Sequence, residues 1–580
     1  MTMEIWEPYA PAISGTTREI EAGGVTFRTT ADKTVATTVG DGIIELVLTG
    51  DGAVRAEWRL PCVDVTALWT PDTMAGRGIP AAWSAPRRVS LSRGAPIASL
   101  VGTGDVSRCT FAAAETDVLA SGGVFEETGE FRFWVQAEGL LTLRVDMSGR
   151  HFAHCLADLT AWWLDGRTVT IPASARKPAY STWYSMHQDV TPASVEKQAA
   201  LGKDLGLDLI IVDDGWMTQD RGRGYGHTGD WEPLSLPDTA AHVARVHDLG
   251  VGYMLWYALP FIGRESTVWD RFQRYALAHA ESLDAMIVDP RYPVVRTYLA
   301  DKLCRAVEEW GMDGLKIDFV DWFDRGEAPE ADAEADCATV SEGVDKLLGE
   351  IRTRITTARP NALIEFRQPY TSPGLWPHAT MLRATDCPLS GLDNRQRTID
   401  LRLAAGPVPV HADMLMWHPT EPAEQVACHL INVLFAVPQI SVDLSTLTPA
   451  QREVLTFWLG VFRQYEDTLQ LGGFEPSRPD LAYPLARARD ERVEIVARYA
   501  ALPVNAAGTW EEFLVANADP DPVIRLTGGT GTVTAVVHDA RGRLAGEEQI
   551  DLGARGGAAI NVPRGGLLRL TRLKERVAVA

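Results

Sequence analysis

From residue 178 to about 470 the chain alternates short apolar runs with longer amphipathic ones, and this alternation constrains the fold more than any other feature. Eight apolar runs read as strands: STWYSM (181–186), LDLIIVDDGW (207–216), GVGYMLWYAL (250–259), GLKIDFV (314–320), ALIEFRQ (362–368), TMLRATD (380–386), PVHADMLMW (409–417) and VPQISVDLS (437–445). Helix-like stretches separate nearly all of them, including VEKQAALGKDLG (195–206), DTAAHVARVHDLG (238–250), VVRTYLADKLCRAVEEWG (294–311) and ATVSEGVDKLLGEIRTRI (338–355). The first three end on Gly206, Gly250 and Gly311, the residue that favours a helix C-terminus. Buried strands alternating with helices form a parallel sheet covered on both faces. Eight such units are what a (β/α)8 barrel requires. The alternative, a doubly wound open sheet, would show a glycine-rich phosphate loop after its first strand, and none is present.

On either side the texture changes. Before about residue 175 come β-rich runs at period two, such as VTFRTT (25–30), GIIELVLTG (42–50) and FRFWVQAEGLLTLRVDM (131–147), with no helix-period run of useful length. After about 475 it returns in RVEIVARYA (492–500), EEFLVANA (511–518), GTVTAVVHD (531–539) and GLLRLTRL (566–573). The expected architecture is multidomain. An N-terminal antiparallel β-sandwich (1–175) precedes a central (β/α)8 TIM barrel (176–474), and a small C-terminal antiparallel β-sandwich domain (475–580) follows. QREVLTFWLGVFRQYEDTL (451–469) reads as the helix that closes the barrel.

Composition removes several function classes. With 55 Lys and Arg against 77 Asp and Glu the net charge is −22, which repels nucleic acid and anionic lipid surfaces. The 7 cysteines are odd in number, scattered, and lack a CxxC pair, which argues against a disulfide framework or a structural zinc site. The opening MTMEIWEPYAPAIS has neither the basic nor the apolar region of a signal peptide. The best apolar run, 429–442, is broken by Asn432 and Pro438 and is too short for a bilayer. A cytoplasmic protein with no membrane or nucleic-acid partner is the expectation, and a homo-oligomer is compatible with it.

Barrel active sites are built at the C-terminal ends of the strands. There the expected strands carry, in order, Trp183, Tyr184, His187 and Gln188; Asp213, Asp214 and Trp216; Trp256; Lys316 and Asp318; Glu365 and Arg367; Arg383 and Asp386; His411, Asp413 and Trp417; and Asp443. Lys316 and Asp318 lie two apart, on one face of a strand, as do Glu365 and Arg367. Carboxylates accept hydrogen bonds from hydroxyls, indole faces stack on the C–H face of a sugar ring, and two carboxylates supply the chemistry of glycoside hydrolysis. No HExxH motif, no serine elbow after a strand and no phosphate-gripping helix start is present. A neutral polyol is the substrate class that fits, with no cofactor and no metal. A metal site from Asp213, Asp214 and His411 is the competing reading of the same rim.

Several motifs resemble those of glycoside hydrolase family 36, the melibiase-type α-galactosidases. IIVDDGW (210–216) followed by GHTGDWEP (226–233) resembles its DDGW…GDW signature, and GLKIDF (314–319) resembles its nucleophile motif. RATDCP (383–388) with NRQRTIDLRL (394–403) is similar to the segment bearing its acid/base aspartate, and STWYSMHQDVT (181–191) and VHADMLMW (410–417) are similar to bacterial members. The resemblance covers the barrel. It implies a retaining exo-α-glycosidase acting on small oligosaccharides or glycosides through a covalent glycosyl-enzyme. In that reading Asp318 is the nucleophile and Asp386 the acid/base, with Asp393 as its rival. Asp213 and Asp214 grip the O4 and O6 hydroxyls, Lys316 keeps Asp318 ionised, and Asp386 has a raised pKa. Trp256 lines the pocket, Arg383 lies near the acid/base, Arg367 joins the substrate site, and Trp183 and Trp216 offer stacking faces. The chain departs from the family in Phe366–Tyr370, where many members have Cys-Ser-Gly-Gly-Gly, and in LWYALP (255–260), where LW-x-E-P-E is usual. Both segments bear on the glycon. An α-N-acetylgalactosaminidase, an α-galactosyl transglycosylase and a non-catalytic sugar-binding barrel therefore stand beside the α-galactosidase.

Overall fold

Eight parallel strands, arranged in space in the order they occur in the chain, form the central sheet of the computed structural model. They are β1 (Ala179–Ser181), β2 (Leu209–Val212), β3 (Gly252–Ala258), β4 (Gly314–Asp318), β5 (Leu363–Arg367), β6 (Met381–Arg383), β7 (Val410–His411) and β8 (Gln439–Ile440). The structure describes residues 17–572 apart from 72–77, 221, 223, 325–327 and 554–556. The opening segment whose lack of a signal region was noted above lies outside them.

The sheet closes on itself. Strand β8 pairs with β1, while Val437, just before β8, bridges His411 of β7. The Val437 N–H donates to the Val410 carbonyl at 2.8 Å, and the Ala412 N–H donates to the Val437 carbonyl at 2.9 Å. The expected (β/α)8 barrel is therefore present, with strands shorter than the apolar runs that announced them. The largest difference is at 181–186. Strand β1 stops at Ser181, and Trp183–Met186 form a helical turn instead. Here Ser441, beyond β8, offers its Oγ to the N–H groups of Tyr184 and Ser185, so the chain leaves the ladder and turns over the barrel mouth.

Among the described residues, seven helices of ten residues or more accompany or follow the strands: α2 (Pro192–Leu205), α3 (Thr239–Asp248), α4 (Pro293–Glu308), α5 (Val340–Ala358), α6 (Gly391–Ala404), α7 (Ala423–Asn432) and α8 (Pro449–Gln464). Helix α2 shows why the pattern was legible. Thr191 and Ser194 form a capping box, Pro192 opens the first turn, and Gly206 ends the helix in the left-handed region at φ 85°. Helix α8 packs against α7 and α2, closing the helical ring as expected.

One helix was not anticipated. Helix α1 (Phe152–Trp163) stands in the region read as wholly β. Its buried positions 152, 153, 155, 156, 159, 160 and 163 occupy much of its circumference, because it lies between the N-terminal sheet and α6. A helix buried on most sides loses the polar stripe by which helices are read from sequence. A three-stranded antiparallel sheet inserted after β3 (Phe261–Gly263, Ala276–Ala280, Ala285–Val288) was also not read as a separate element.

The N-terminal unit is one ten-stranded sheet built on two long antiparallel strands, Ile43–Pro61 and Glu130–Asp146. The first halves of the pair and the second halves take different neighbours. Residues 143–146 pair with Ser107–Ala113, whereas residues 130–136 pair with Val118–Phe125. The register breaks between Glu138 and Leu140, where Gly139 takes φ 69°. Trp58, Phe111 and Phe133 fill the space between, with ring centroids 5.0–5.2 Å apart. In the C-terminal unit the seven-stranded sheet is mixed rather than purely antiparallel, since Val493–Arg498 runs parallel to Glu512–Asn517.

The three units meet beside the barrel mouth and beneath it. Trp69 of the N-terminal unit donates its indole N–H toward Asp400 of α6 (2.8 Å) and Tyr483 of the C-terminal unit (3.0 Å). The N-terminal loop 90–94 braces the barrel loops, with the Gly94 N–H on the Pro369 carbonyl (2.6 Å) and Ser90 Oγ on Asp324 (2.9 Å). No helix among the described residues is long and apolar enough to cross a membrane. All seven cysteines are free.

Candidate active site

Strand register brings the charged residues together. Ala258 lies beside Asp318, Trp256 beside Lys316, Lys316 beside Glu365, and Arg367 beside Arg383. All sit at the C-terminal end of the sheet, where the period-two alternation turns them to the barrel interior.

Asp318, the last residue of β4, is buried. Its Oδ1 accepts from Arg367 Nε (2.7 Å), the Tyr370 hydroxyl (3.1 Å) and the Phe319 N–H (2.7 Å). Its Oδ2 accepts from the Trp256 indole N–H at 3.0 Å. Burial alone would raise this carboxyl, but Arg367, then Lys316 and Arg383, hold it well below the usual carboxylate range. Phe319 takes φ 65°, a left-handed conformation costly for a bulky residue, and packs on Phe261 (5.0 Å) and Tyr225 (5.1 Å). The aromatic packing fixes the turn that aims the carboxylate.

Asp213 and Asp214 follow β2, both buried. Lys316 Nζ is 2.5 Å from Asp213 Oδ2. Lys316 helps hold Asp318 ionised, as the resemblance implied, after the larger influence of Arg367, while its direct ion pair is with Asp213. Asp214 Oδ2 accepts from Gln188 Nε2 at 3.0 Å, while its Oδ1 has no partner although buried. Burial and the neighbouring Asp213 push Asp214 up to about 7.

Arg383 is the hub of the opposite wall. It is 1% exposed, and its guanidinium reaches three carboxylates: Asp413 at 2.6 Å, Asp386 at 3.0 Å and Glu365 at 3.6 Å. Asp386 is half-exposed and sits just beyond β6. The protein packed around it works to raise its pKa, but Arg383, then Arg367 and Lys316, bring it below its ordinary value. This corrects the expectation of a raised pKa, and the cause is the guanidinium 3.0 Å away. Asp393 lies in the first turn of α6, where its N–H is capped by Ser390 Oγ.

Six carboxylates (Asp213, Asp214, Asp318, Glu365, Asp386, Asp413) thus surround three cations (Lys316, Arg367, Arg383). Burial raises three of them, Asp214 to about 7, Asp413 to about 6, and Glu365.

The tryptophans divide. Trp256 is 1% exposed and holds Asp318 by its N–H. Trp216 does not offer a stacking face: it is fully buried, bonded to the Trp256 carbonyl at 2.8 Å and stacked on Trp231. Gly215 causes this, since its φ of 103° drops the next side chain into the core, and a Cβ there would meet Gln188 backbone at 2.4 Å. Trp183 is half-buried, edge-on to His187. The rival metal set is dispersed in its bonding: Asp213 is paired with Lys316, and His411 Nε2 is bonded to the Ala175 carbonyl at 2.8 Å. Among the described residues no group of three or more His, Cys, Asp and Glu is arranged to hold a metal ion. Asp443 caps the 3-10 turn Leu444–Thr446 and binds Gln198, away from the hub. Sequence reasoning gave Tyr370 no role, although it touches Asp318, and omitted Gln439, whose Nε2 lies 2.5 Å from Glu365.

The melibiase family model matches residues 173–366. Among curated relatives, the bifunctional α-galactosidase/sucrose kinase AgaSK of Mediterraneibacter gnavus is 24% identical over 150 residues, 24% of this chain and 15% of the relative. The A type blood α-D-galactosamine galactosaminidase of Flavonifractor plautii is 27% identical over 135 residues, 20% of this chain and 12% of the relative. The matches span well under a third of those relatives' length. The solved GH36 α-galactosidase AgaA of Geobacillus stearothermophilus superimposes with a TM-score of 0.64 at 12% identity, covering 98% of this chain and 86% of that one. Variants of AgaA have been solved with raffinose and with stachyose. Residues 173–366 thus match the melibiase family, and the fold of the chain, barrel and flanking sheets together, is that of the solved GH36 α-galactosidases.

Proposed function

We propose that the chain is a retaining exo-α-glycosidase that hydrolyses terminal α-D-galactosyl residues from small oligosaccharides such as those of the raffinose type. The observation that carries this reading is Asp318, a buried carboxylate held ionised by Arg367 and Lys316 and oriented by Tyr370 and Trp256. Burying an ionised carboxylate among such donors is costly unless its charge is used.

In this reading Asp318 attacks C1 of the sugar. Its Oδ1 is engaged by three donors and its Oδ2 by one, so Oδ2 is the attacking atom. As the C1–Oδ2 bond forms, the glycosidic C1–O bond breaks, and Asp386 gives its proton to the departing oxygen. Water then attacks C1, Asp386 takes the proton, and the ester to Asp318 is cleaved. The Asp318 charge raises Asp386. Glycosylation removes that charge, so Asp386 becomes a weaker base-holder of its proton just when it must act as a base. Water excluded by the bound sugar adds to the upward push beforehand. Asp213 and Asp214 receive the sugar hydroxyls, the free Oδ1 of Asp214 being the buried acceptor that still lacks a donor.

A panel of aryl α-glycosides tests the reading: galactoside, N-acetylgalactosaminide, glucoside and the arabinoside lacking C6. The galactoside is expected to turn over fastest. Preference for another member keeps the mechanism and moves the glycon, with Arg367–Tyr370 as the cause. No turnover of any member overturns the proposal.

A further inference from the structure

Asp413, just beyond β7, is fully buried at the far side of the Arg383 hub. Its Oδ1 takes Arg383 Nη1 at 2.6 Å. Its Oδ2 accepts from the Tyr184 hydroxyl (3.0 Å) and from the N–H of Cys387, the residue after Asp386 (2.6 Å). Its own backbone is clamped to α6, where Asn394 accepts from the Asp413 N–H at 3.1 Å and donates to its carbonyl at 2.8 Å. Asp413 therefore touches both the cation that lowers Asp386 and the backbone that carries Asp386.

We propose that Asp413 is a positioning residue that sets the acid strength of Asp386, by occupying one arm of Arg383 and by holding the Cys387 N–H. The inference rests on Asp386 being the acid/base. An arginine beside a general acid is a difficulty, since it favours the ionised form. A second carboxylate on the same guanidinium offsets that charge. The groups facing the pair are Tyr184 from the turn after β1, Lys316 and Asp318 from β4, Glu365 and Arg367 from β5, Arg383 from β6, Cys387 from the following loop, and Asn394 and Arg397 from α6, the last donating to the Asp386 carbonyl at 2.6 Å. Of the carboxylates among them, Asp386 and Asp413 are the pair that Arg383 joins at 3.0 Å or less. Asp413 itself is pushed up to about 6 by burial, against Arg383 and with Asp386. The two carboxylates titrate as a pair about the Arg383 guanidinium, each in its ionised form raising the other.

The test is the pH profile of kcat/KM with a poor leaving group. In Asp413→Asn the full charge of Arg383 falls on Asp386, so the alkaline limb should move to lower pH by about one unit, as expected for loss of one nearby charge. Asp413→Glu should restore most of the shift. Tyr184→Phe removes a hydrogen bond to the ionised form and should move the limb the same way by less, which serves if the Asn variant does not fold. An activated aryl substrate, which needs no protonation, should lose much less than the poor one in Asp413→Asn. If Asp386→Ala spares activated substrates while Asp413→Asn and Tyr184→Phe leave the limb in place, the proposal about Asp413 fails and the acid/base assignment survives. If Asp386→Ala harms both substrates equally, the assignment itself fails.

Discussion

Asp318→Asn should lower turnover of the best aryl glycoside by about four orders of magnitude or more, the usual scale for losing a covalent nucleophile. The amide matches the carboxylate in shape but cannot form the ester. It also costs stability. Asp318 accepts from four donors, and an amide group presents a donor of its own on one side, facing either Trp256 or the Arg367–Tyr370 pair. Arg367, 13% exposed at the side chain, loses its carboxylate partner. Removing one member of a buried pair costs about 3–5 kcal/mol. The variant is therefore expected to fold with a lower melting temperature, visible by circular dichroism, and to bind sugar while turning over almost none. Near-normal turnover would remove Asp318 from the mechanism.

The second large effect is selective. Asp386→Ala should slow substrates with poor leaving groups by about 10²–10⁴-fold, the range of general acid catalysis, and activated aryl glycosides far less in the glycosylation step. The half-exposed position of Asp386 makes this substitution mild for the fold, since its contacts are Arg383 and solvent. Equal losses on both substrate types would move the role to Asp393.

The barrel was legible because each of its signals is local. Strand and helix alternation, the Thr191 cap and the Gly206 stop all act within a few residues. The rim was legible because charged residues at the ends of apolar strands have one natural place in a barrel, and Asp213, Asp214, Lys316, Asp318, Arg367, Arg383 and Asp386 are indeed brought to one mouth. What escaped depends on neighbours distant in sequence. Helix α1 hides its period because two units bury it. Trp216 points into the core because of the backbone at Gly215, which a residue list does not reveal. The partner of Lys316 is 103 residues away, and only strand register decides that it is Asp213 and not Asp318. The lowered Asp386 follows from Arg383 at i,i+3, a spacing visible in the sequence whose geometry is not. Tyr370 looked like part of an aberrant loop, yet it reaches back to the carboxylate of β4.

The most direct measurement is to trap the intermediate. A slow fluorinated α-galactosyl fluoride would be incubated with the protein, which is then digested and its peptides weighed. The account predicts one glycosyl adduct per chain, on the peptide containing Asp318 and absent from Asp318→Asn. An adduct on a peptide carrying Asp214, Asp386 or Asp413 instead, or full turnover with no adduct at any residue, would contradict it.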